Sequence, residues 1–207
     1  MLRLVPNIFT LSRLVLTVVF VAMVLYSPHV PPDDHARFLD IAFVLFLIAG
    51  LTDIFDGIVA RRLNVASKFG RIVDPLADKV LVCGTFICFA IIGEPKLFGL
   101  GPTPLAVIHW SVATVLIGRE LYVTVLRHIA EARGVNFAAT FSGKLKMFLQ
   151  SFAIGTVIMK MAHVQTAHWG YWFTTIVFAA MLIVTVVSGL RATRRTSWKQ
   201  AARSQVL

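Results

Sequence analysis

Six apolar stretches dominate the chain, near Thr10–Tyr26, Phe38–Ala60, Ile72–Ile92, Pro104–Arg127, Gly143–Ala162 and Trp169–Leu190. Each is close to the roughly 20 residues that a helix needs to cross a bilayer, and each is bounded by charge, proline or glycine. In hydrocarbon every backbone amide must find its partner within the protein, so runs of this kind form helices. The expectation is an all-α integral membrane protein with six transmembrane helices. Composition agrees: 57% of the 207 residues are hydrophobic and 14% are charged, and the mean hydropathy is +0.80, too apolar for an ordinary soluble domain. Six spans use most of the length, so residues 1–207 are expected to form a single membrane domain.

The formal charge of +10 raises the question of nucleic acid. Lysine and arginine fall in short clusters between apolar runs instead of gathering on one polar element, so no nucleic-acid partner is expected. Connecting the spans in order leaves Arg37, Lys96 and Lys160 on one side and the other basic residues on the opposite side. By the positive-inside rule both termini are then cytoplasmic. Asp33, Asp34, Asp40 and Glu94 fall on the basic-poor side, as solvated charges of exterior loops. Arg3 ahead of an apolar run has the outline of a signal peptide, but Arg13 interrupts it and Leu25-Tyr26-Ser27-Pro28 offers no small-x-small cleavage site, so the first span is expected to be retained. Cys83 and Cys88 lie five apart on different helix faces and are expected to pack unbridged. The histidines, at 29, 35, 109, 128, 163 and 168, show no paired ligand spacing, which gives zinc no support.

Four aspartates, at 53, 56, 74 and 78, stand out against this background. Ionisable residues in or at the ends of transmembrane segments are costly unless paired or metal-bound. The second span runs inward and meets Asp53 and Asp56 late; the third runs back and meets Asp74 and Asp78 early, so all four share one depth near the cytoplasmic rim. The spacings i,i+3 and i,i+4 aim each pair from one helical face. Four bare carboxylates would repel and resist ionisation, whereas one or two Mg²⁺ or Mn²⁺ ions suit such hard oxygen donors. Gly57 and Gly70 remove side chains where a ligand must approach the backbone, and Ala60 keeps that wall low. Arg61 can donate to a phosphate and Ser67 offers a hydroxyl. Pro75 is expected in the first turns of the third helix, where its missing amide is tolerable. Taken singly, the glycines, Ala60 and the arginines also read as helix contacts and topology markers; four acids at this spacing do not.

The run Asp53-Ile-Phe-Asp56-Gly57-Ile-Val-Ala60-Arg61, then eight residues, Gly70, three, Asp74, three and Asp78, resembles the signature of the CDP-alcohol phosphatidyltransferase family, with every motif position filled. The resemblance implies transfer of a substituted phosphate from a CDP-alcohol to an acceptor hydroxyl, with release of CMP. It implies that Asp53, Asp56, Asp74 and Asp78 hold two divalent ions, Mg²⁺ or Mn²⁺, that Asp78 also accepts the proton, and that Gly57, Arg61 and Ser67 contact the CDP moiety. It further implies a homodimer in the lipid bilayer. Pro6-Asn7-Ile8-Phe9-Thr10-Leu11-Ser12-Arg13 resembles the amino-terminal pattern of the branch that uses CDP-diacylglycerol as donor and glycerol 3-phosphate as acceptor, and Asn7 and Thr10 join the expected CDP-lipid site.

A phosphorylated acceptor needs a basic pocket beside the acids, and Arg119, Arg127, Lys144 and Lys146 are the candidates. Arg119 lies within an apolar span and needs a partner. Glu120, its neighbour in sequence, is expected to point elsewhere, leaving a ligand phosphate or another acid. The same basic residues also fit a positive-inside role. Inositol phosphate, serine or phosphatidylglycerol are alternative acceptors within the family. A divalent-cation or proton transporter is the alternative outside it, and would place its acids near the midplane. The expected location is the cell (inner) membrane, with the active site facing the cytoplasm.

Overall fold

A computed structural model describes residues 5–63, 68–132, 141–165 and 167–204, with side chains described over 11–52, 76–130, 132, 143–165 and 167–194. The apolar stretches form six helices: α1 Val5–Tyr26, α2 Pro32–Leu63, α3 Lys68–Ile92, α4 Pro102–Ala132, α5 Phe141–His163 and α6 His168–Ser204. One 3-10 turn, Ser27–His29, joins α1 to α2, and no strand occurs among the described residues. Among these residues α1, α2, α4, α5 and α6 carry segments long and apolar enough to cross a membrane. The protein is all-α and multi-pass. The sixth expected span lies in α3, which is 25 residues long.

The helices overrun the apolar stretches that announce them. Expected as loop to residue 37, the first connector instead ends before Pro32, the first residue of α2, with Asp33 and Asp34 in the first turn. Proline has no amide to waste at that position, and acidic side chains favour the positive end of the helix dipole. Asp33, Asp34 and Asp40 are therefore helical and not loop charges, and Asp40 Oδ1 lies 2.8 Å from His163 Nε2. α6 continues well past Leu190 through Arg, Ala, Lys and Gln, all good helix formers, to Ser204.

Side-chain contacts set the directions. Arg13 pairs with Asp78, and the Cys88 thiol donates to the Val21 carbonyl at 3.8 Å, so α1 and α3 run parallel. Arg119 bonds Ser188 and Tyr122 bonds Thr193, so α4 and α6 are parallel too. Asp40 meets His163 while Phe43 meets Gly155, which makes α2 and α5 antiparallel. α1 packs on α2 and α3, α5 on α2, α3 and α6, and α4 on α3 and α6. The result is an up-and-down bundle. One end holds the early parts of α1, α3 and α5 and the late parts of α2, α4 and α6, and this end carries the acids.

The bundle core gathers Phe20, Phe46, Phe86, Phe89, Leu116, Ile154, Ile158 and Met181. Phe20 and Phe46 meet at 5.3 Å between ring centroids, and Phe86 meets Phe178 edge-on at 5.9 Å. Lipid is as apolar as these side chains, so contact density, more than exclusion of water, holds the helices together. Gly155 shows how close that contact is: a Cβ there would sit 3.1 Å from Phe43 Cε2.

At the end opposite the acids, the 93–101 connector is fastened down. Lys160 Nζ donates to the Lys96 carbonyl and lies 4.5 Å over the Tyr171 ring, while His109 Nε2 lies 3.2 Å from the Pro95 carbonyl. α3 stops there because Gly93 turns left-handed, with φ of 73°, and the Glu94 amide donates back to the Phe89 carbonyl at 3.0 Å, the geometry of a Schellman cap. A Cβ on Gly93 meets nothing within 4 Å, so the cost of adding one is conformational. Gly93→Ala is expected to lower stability by about 1 kcal/mol, read as a lower thermal midpoint in detergent. Gly101→Ala, where the backbone is not left-handed, serves as the neutral comparison.

Candidate active site

Arg13, Thr17, Phe20 and Val24 recur at helical spacing on α1 and are all buried. Arg13 thus begins the stripe that faces the core, where a charged side chain survives only with a partner. That partner is on α3: Arg13 Nη2 donates to Asp78 Oδ1. The arginine side chain is 2% exposed and the aspartate side chain 34%, so the guanidinium is sealed within the bundle while part of the carboxylate stays open. A guanidinium–carboxylate bond in so dry a setting fixes the orientation of the carboxylate, and removing either member strands the other.

The other acids are located by backbone register. α2 is helical through residues 53, 56, 57 and 61, and α3 through 74 and 78. The i,i+3 and i,i+4 pairs therefore each share one face of a real helix. The side chains at 53, 56, 57, 61 and 74, and those of Asn7 and Thr10 in the early turns of α1, lie outside the described side chains; Ser67 lies outside the described residues altogether. Among the described residues no group of three or more His, Cys, Asp or Glu side chains comes together, Asp78 being the one motif acid among them. The donor set nonetheless fits a hard divalent cation: carboxylate oxygens only, in two helical pairs. Pro75 departs from expectation. α3 begins at Lys68, so the proline sits two turns inside the helix, where it cannot supply the amide that the Arg71 carbonyl would otherwise accept.

A second charged cluster joins α4, α5 and α6. Glu120 Oε1 accepts from Arg119 Nη1 at 3.0 Å and from Lys146 Nζ. The other arm of the guanidinium, Nη2, donates to Ser188 Oγ at 2.8 Å, and the Ser188 hydroxyl donates its own proton to the Thr185 carbonyl at 3.0 Å. The three charged side chains are 13%, 15% and 8% exposed for Arg119, Glu120 and Lys146. Glu120 is thus the partner of Arg119, contrary to the expectation that it points elsewhere. Neighbours on a helix diverge by about 100°, but the long arginine stem lets its head fold back to the adjacent carboxylate. Gly189 leaves α6 room for that stem: a Cβ there would lie 3.4 Å from Arg119 Cγ. Lys144 and Arg127, the other two candidates, are exposed at the same end of the bundle.

α3 connects the two clusters. Cys83, a free thiol, lies in the electrostatic neighbourhood of both Glu120 and Lys146. It is five residues beyond Asp78, about 7.5 Å along the helix axis. α3 therefore carries the Asp78 carboxylate at one level and, about a turn and a half further along and on another face, borders a largely buried, net positive group. Reading the sequence misses three of these roles: Arg13 as the partner of Asp78, Glu120 as the hub of the cations, and Ser188 as the tether of Arg119. Arg13 carried a usable signal, a charge inside an apolar run; Ser188 carried none.

Comparison with known proteins gives the same picture. The sequence matches the CDP-alcohol phosphatidyltransferase family over residues 3–199. A Mycobacterium tuberculosis protein named "Probable phosphatidylglycerophosphate synthase" is 34% identical over 187 residues, covering 89% of this chain and 77% of its own length. A Bacillus subtilis protein named CDP-diacylglycerol--glycerol-3-phosphate 3-phosphatidyltransferase is 32% identical over 194 residues, covering 89% of this chain and 90% of its own. A Rickettsia typhi protein of the same name is 30% identical over 155 residues, covering 74% and 75%. With a carboxylate motif on two antiparallel membrane helices and a family match along nearly the whole chain, the protein belongs to the CDP-alcohol phosphatidyltransferase family.

Proposed function

We propose that the protein transfers the phosphatidyl group of CDP-diacylglycerol to glycerol 3-phosphate, giving phosphatidylglycerophosphate and CMP. The observation that carries the choice of acceptor is the largely buried Arg119–Glu120–Lys146 group, two cations sharing one carboxylate oxygen, at the end of the bundle that carries Asp78. In this reading a small phosphorylated alcohol places its hydroxyl at Asp78 and its phosphate at the cations. An acceptor without a phosphate has no use for a buried positive excess. The relatives named for this reaction, 30% to 34% identical, support the reading.

In this reading Asp78 takes the proton of the acceptor hydroxyl, whose oxygen attacks the lipid-side phosphorus as CMP leaves. Arg13 keeps the Asp78 carboxylate oriented from α1. Gly57, Arg61 and Ser67, with Asn7 and Thr10, hold the CDP-lipid, while Arg119 and Lys146, aided by Arg127 and Lys144 at the rim, receive the acceptor phosphate. Bound by Asp53, Asp56, Asp74 and Asp78, a pair of Mg²⁺ or Mn²⁺ ions would supply the positive charge that offsets the pyrophosphate. The bundle forms one membrane domain. It works as a homodimer in the cell (inner) membrane, with the acid end and both termini on the cytoplasmic side; the skew of basic residues towards that end supports the orientation.

The deciding experiment incubates the purified protein with labelled CDP-diacylglycerol and each of glycerol 3-phosphate, inositol phosphate, serine and phosphatidylglycerol, and reads CMP and lipid product. Product with glycerol 3-phosphate is expected; product with another acceptor alone would overturn the assignment. Asp78→Asn is expected to lower CMP release by at least about a hundredfold and, because it leaves the Arg13 charge without a counter-charge, to lower the thermal midpoint in detergent as well. Chelation of divalent ions is expected to abolish turnover and added Mg²⁺ or Mn²⁺ to restore it, measured in the same assay.

A further inference from the structure

Two cations on one carboxylate leave the buried cluster with a net charge of plus one. Its donors are not used up. A guanidinium carries five N–H groups, of which Arg119 gives one from each arm to Glu120 and Ser188, and an ammonium carries three protons, of which Lys146 gives one to Glu120. Such a group can take a phosphate without first breaking its own bonds. It differs from a bare pair of cations in two respects. Arg119 is held at both arms, by Glu120 at 3.0 Å and by Ser188 at 2.8 Å, so its fork is aimed before any ligand arrives. Ser188 is itself aimed, because its proton is committed to the Thr185 carbonyl and only its lone pair faces Arg119. And Glu120 cancels one positive charge at the point where a dianion would bind.

We propose that Glu120 and Ser188 are positioning residues of an acceptor-phosphate site: together they hold Arg119 and Lys146 in place, and the Glu120 charge keeps phosphate binding weak enough to be reversible. The inference rests on the reading above that Arg119 and Lys146 receive the acceptor phosphate. Reversibility matters because the lipid product retains that phosphate. A site that grips it too well binds substrate and product alike, which lowers KM without raising turnover and slows release.

The two residues are separable by the sign of their effects. Glu120→Gln keeps the shape and removes a negative charge beside the bound anion, so inorganic phosphate is expected to inhibit at a concentration on the order of tenfold lower. KM for glycerol 3-phosphate falls, kcat falls with it, and KM for CDP-diacylglycerol stays within about twofold of its original value. Ser188→Ala changes no charge and frees one arm of Arg119, so phosphate inhibition is expected to weaken and KM for glycerol 3-phosphate to rise, each about threefold. Glu120→Asp restores the charge and is expected to bring the phosphate inhibition constant back towards that of the unaltered protein. A residue that merely held the helices together would shift both variants in the same direction and both substrates alike.

Phosphate binding is also read without turnover, as the rise in thermal midpoint that inorganic phosphate gives the detergent-solubilised protein and each variant. If the unaltered protein makes no CMP with glycerol 3-phosphate, the function reading fails, and the phosphate-dependent midpoints still test Glu120 and Ser188. If Glu120→Gln weakens or leaves unchanged the response to phosphate, or if Ser188→Ala leaves it unchanged, the positioning roles are overturned. Should Glu120→Gln not fold, Ser188→Ala and Glu120→Asp decide by the same measurements.

Discussion

A charge buried in a bilayer has to bring its counter-charge with it, and this requirement organises the bundle. Water would solvate Arg13, Asp78, Arg119, Glu120 or Lys146 separately; hydrocarbon does not, and the cost of an orphan there is several kcal/mol. Each charge is therefore answered, from another helix for Arg13, Asp78, Glu120 and Lys146 and from the next residue for Arg119. Arg13 and Asp78 bind α1 to α3, while Glu120 and Ser188 bind α4 to α5 and α6. Apolar side chains can slide past one another at little cost, but these contacts cannot. They select one register out of the many that greasy helices could otherwise share.

The two ends of the bundle are built differently. Away from the acids, the contacts are mixed: a lysine capped by a carbonyl and an aromatic ring, a histidine against a proline carbonyl, Phe98 packed edge-on to Trp172 at 5.1 Å, and partly exposed Asp40–His163 and Glu94–Lys96 pairs. Most of them close the connector over the helix ends. At the acid end the contacts are ionic, and a positive cluster and the paired Asp78 carboxylate line the same helix. Such a division suits chemistry in which one reactant is a lipid and the other is carried in water, because the buried charged clusters gather towards one rim while the middle of the bundle stays compatible with lipid.

Helix number and class were legible because hydrocarbon thickness imposes a length that sequence cannot hide. Helix ends were not, since hydropathy reports where lipid stops and backbone hydrogen bonding does not stop there. Pro32, Asp33 and Asp34 held the correct start of α2 in plain view, and the basic tail of α6 held its continuation. In the site, the aspartates could be grouped by spacing alone, and Arg119 and Lys146 could be recognised as charges in apolar surroundings. Their partners could not. Glu120 was set aside by a rule about neighbouring positions that is true of Cβ directions and fails for the end of an arginine. The Arg13–Asp78 pair joins residues 65 apart in sequence, and nothing local announces a contact of that range.

The pairing of α1 with α3 has one more implication. Arg13 is matched to Asp78 and Val21 to Cys88, so the first helix, which by composition could pass for a simple anchor, works as a gauge laid against α3. Its apolar residues can be exchanged for others of similar volume without disturbing the match. Its length between those two marks cannot change: one residue added or removed there would turn Arg13 by about 100° relative to Val21 and swing the guanidinium away from α3. The tolerance of α1 to variation is thus a matter of counting as much as of chemistry.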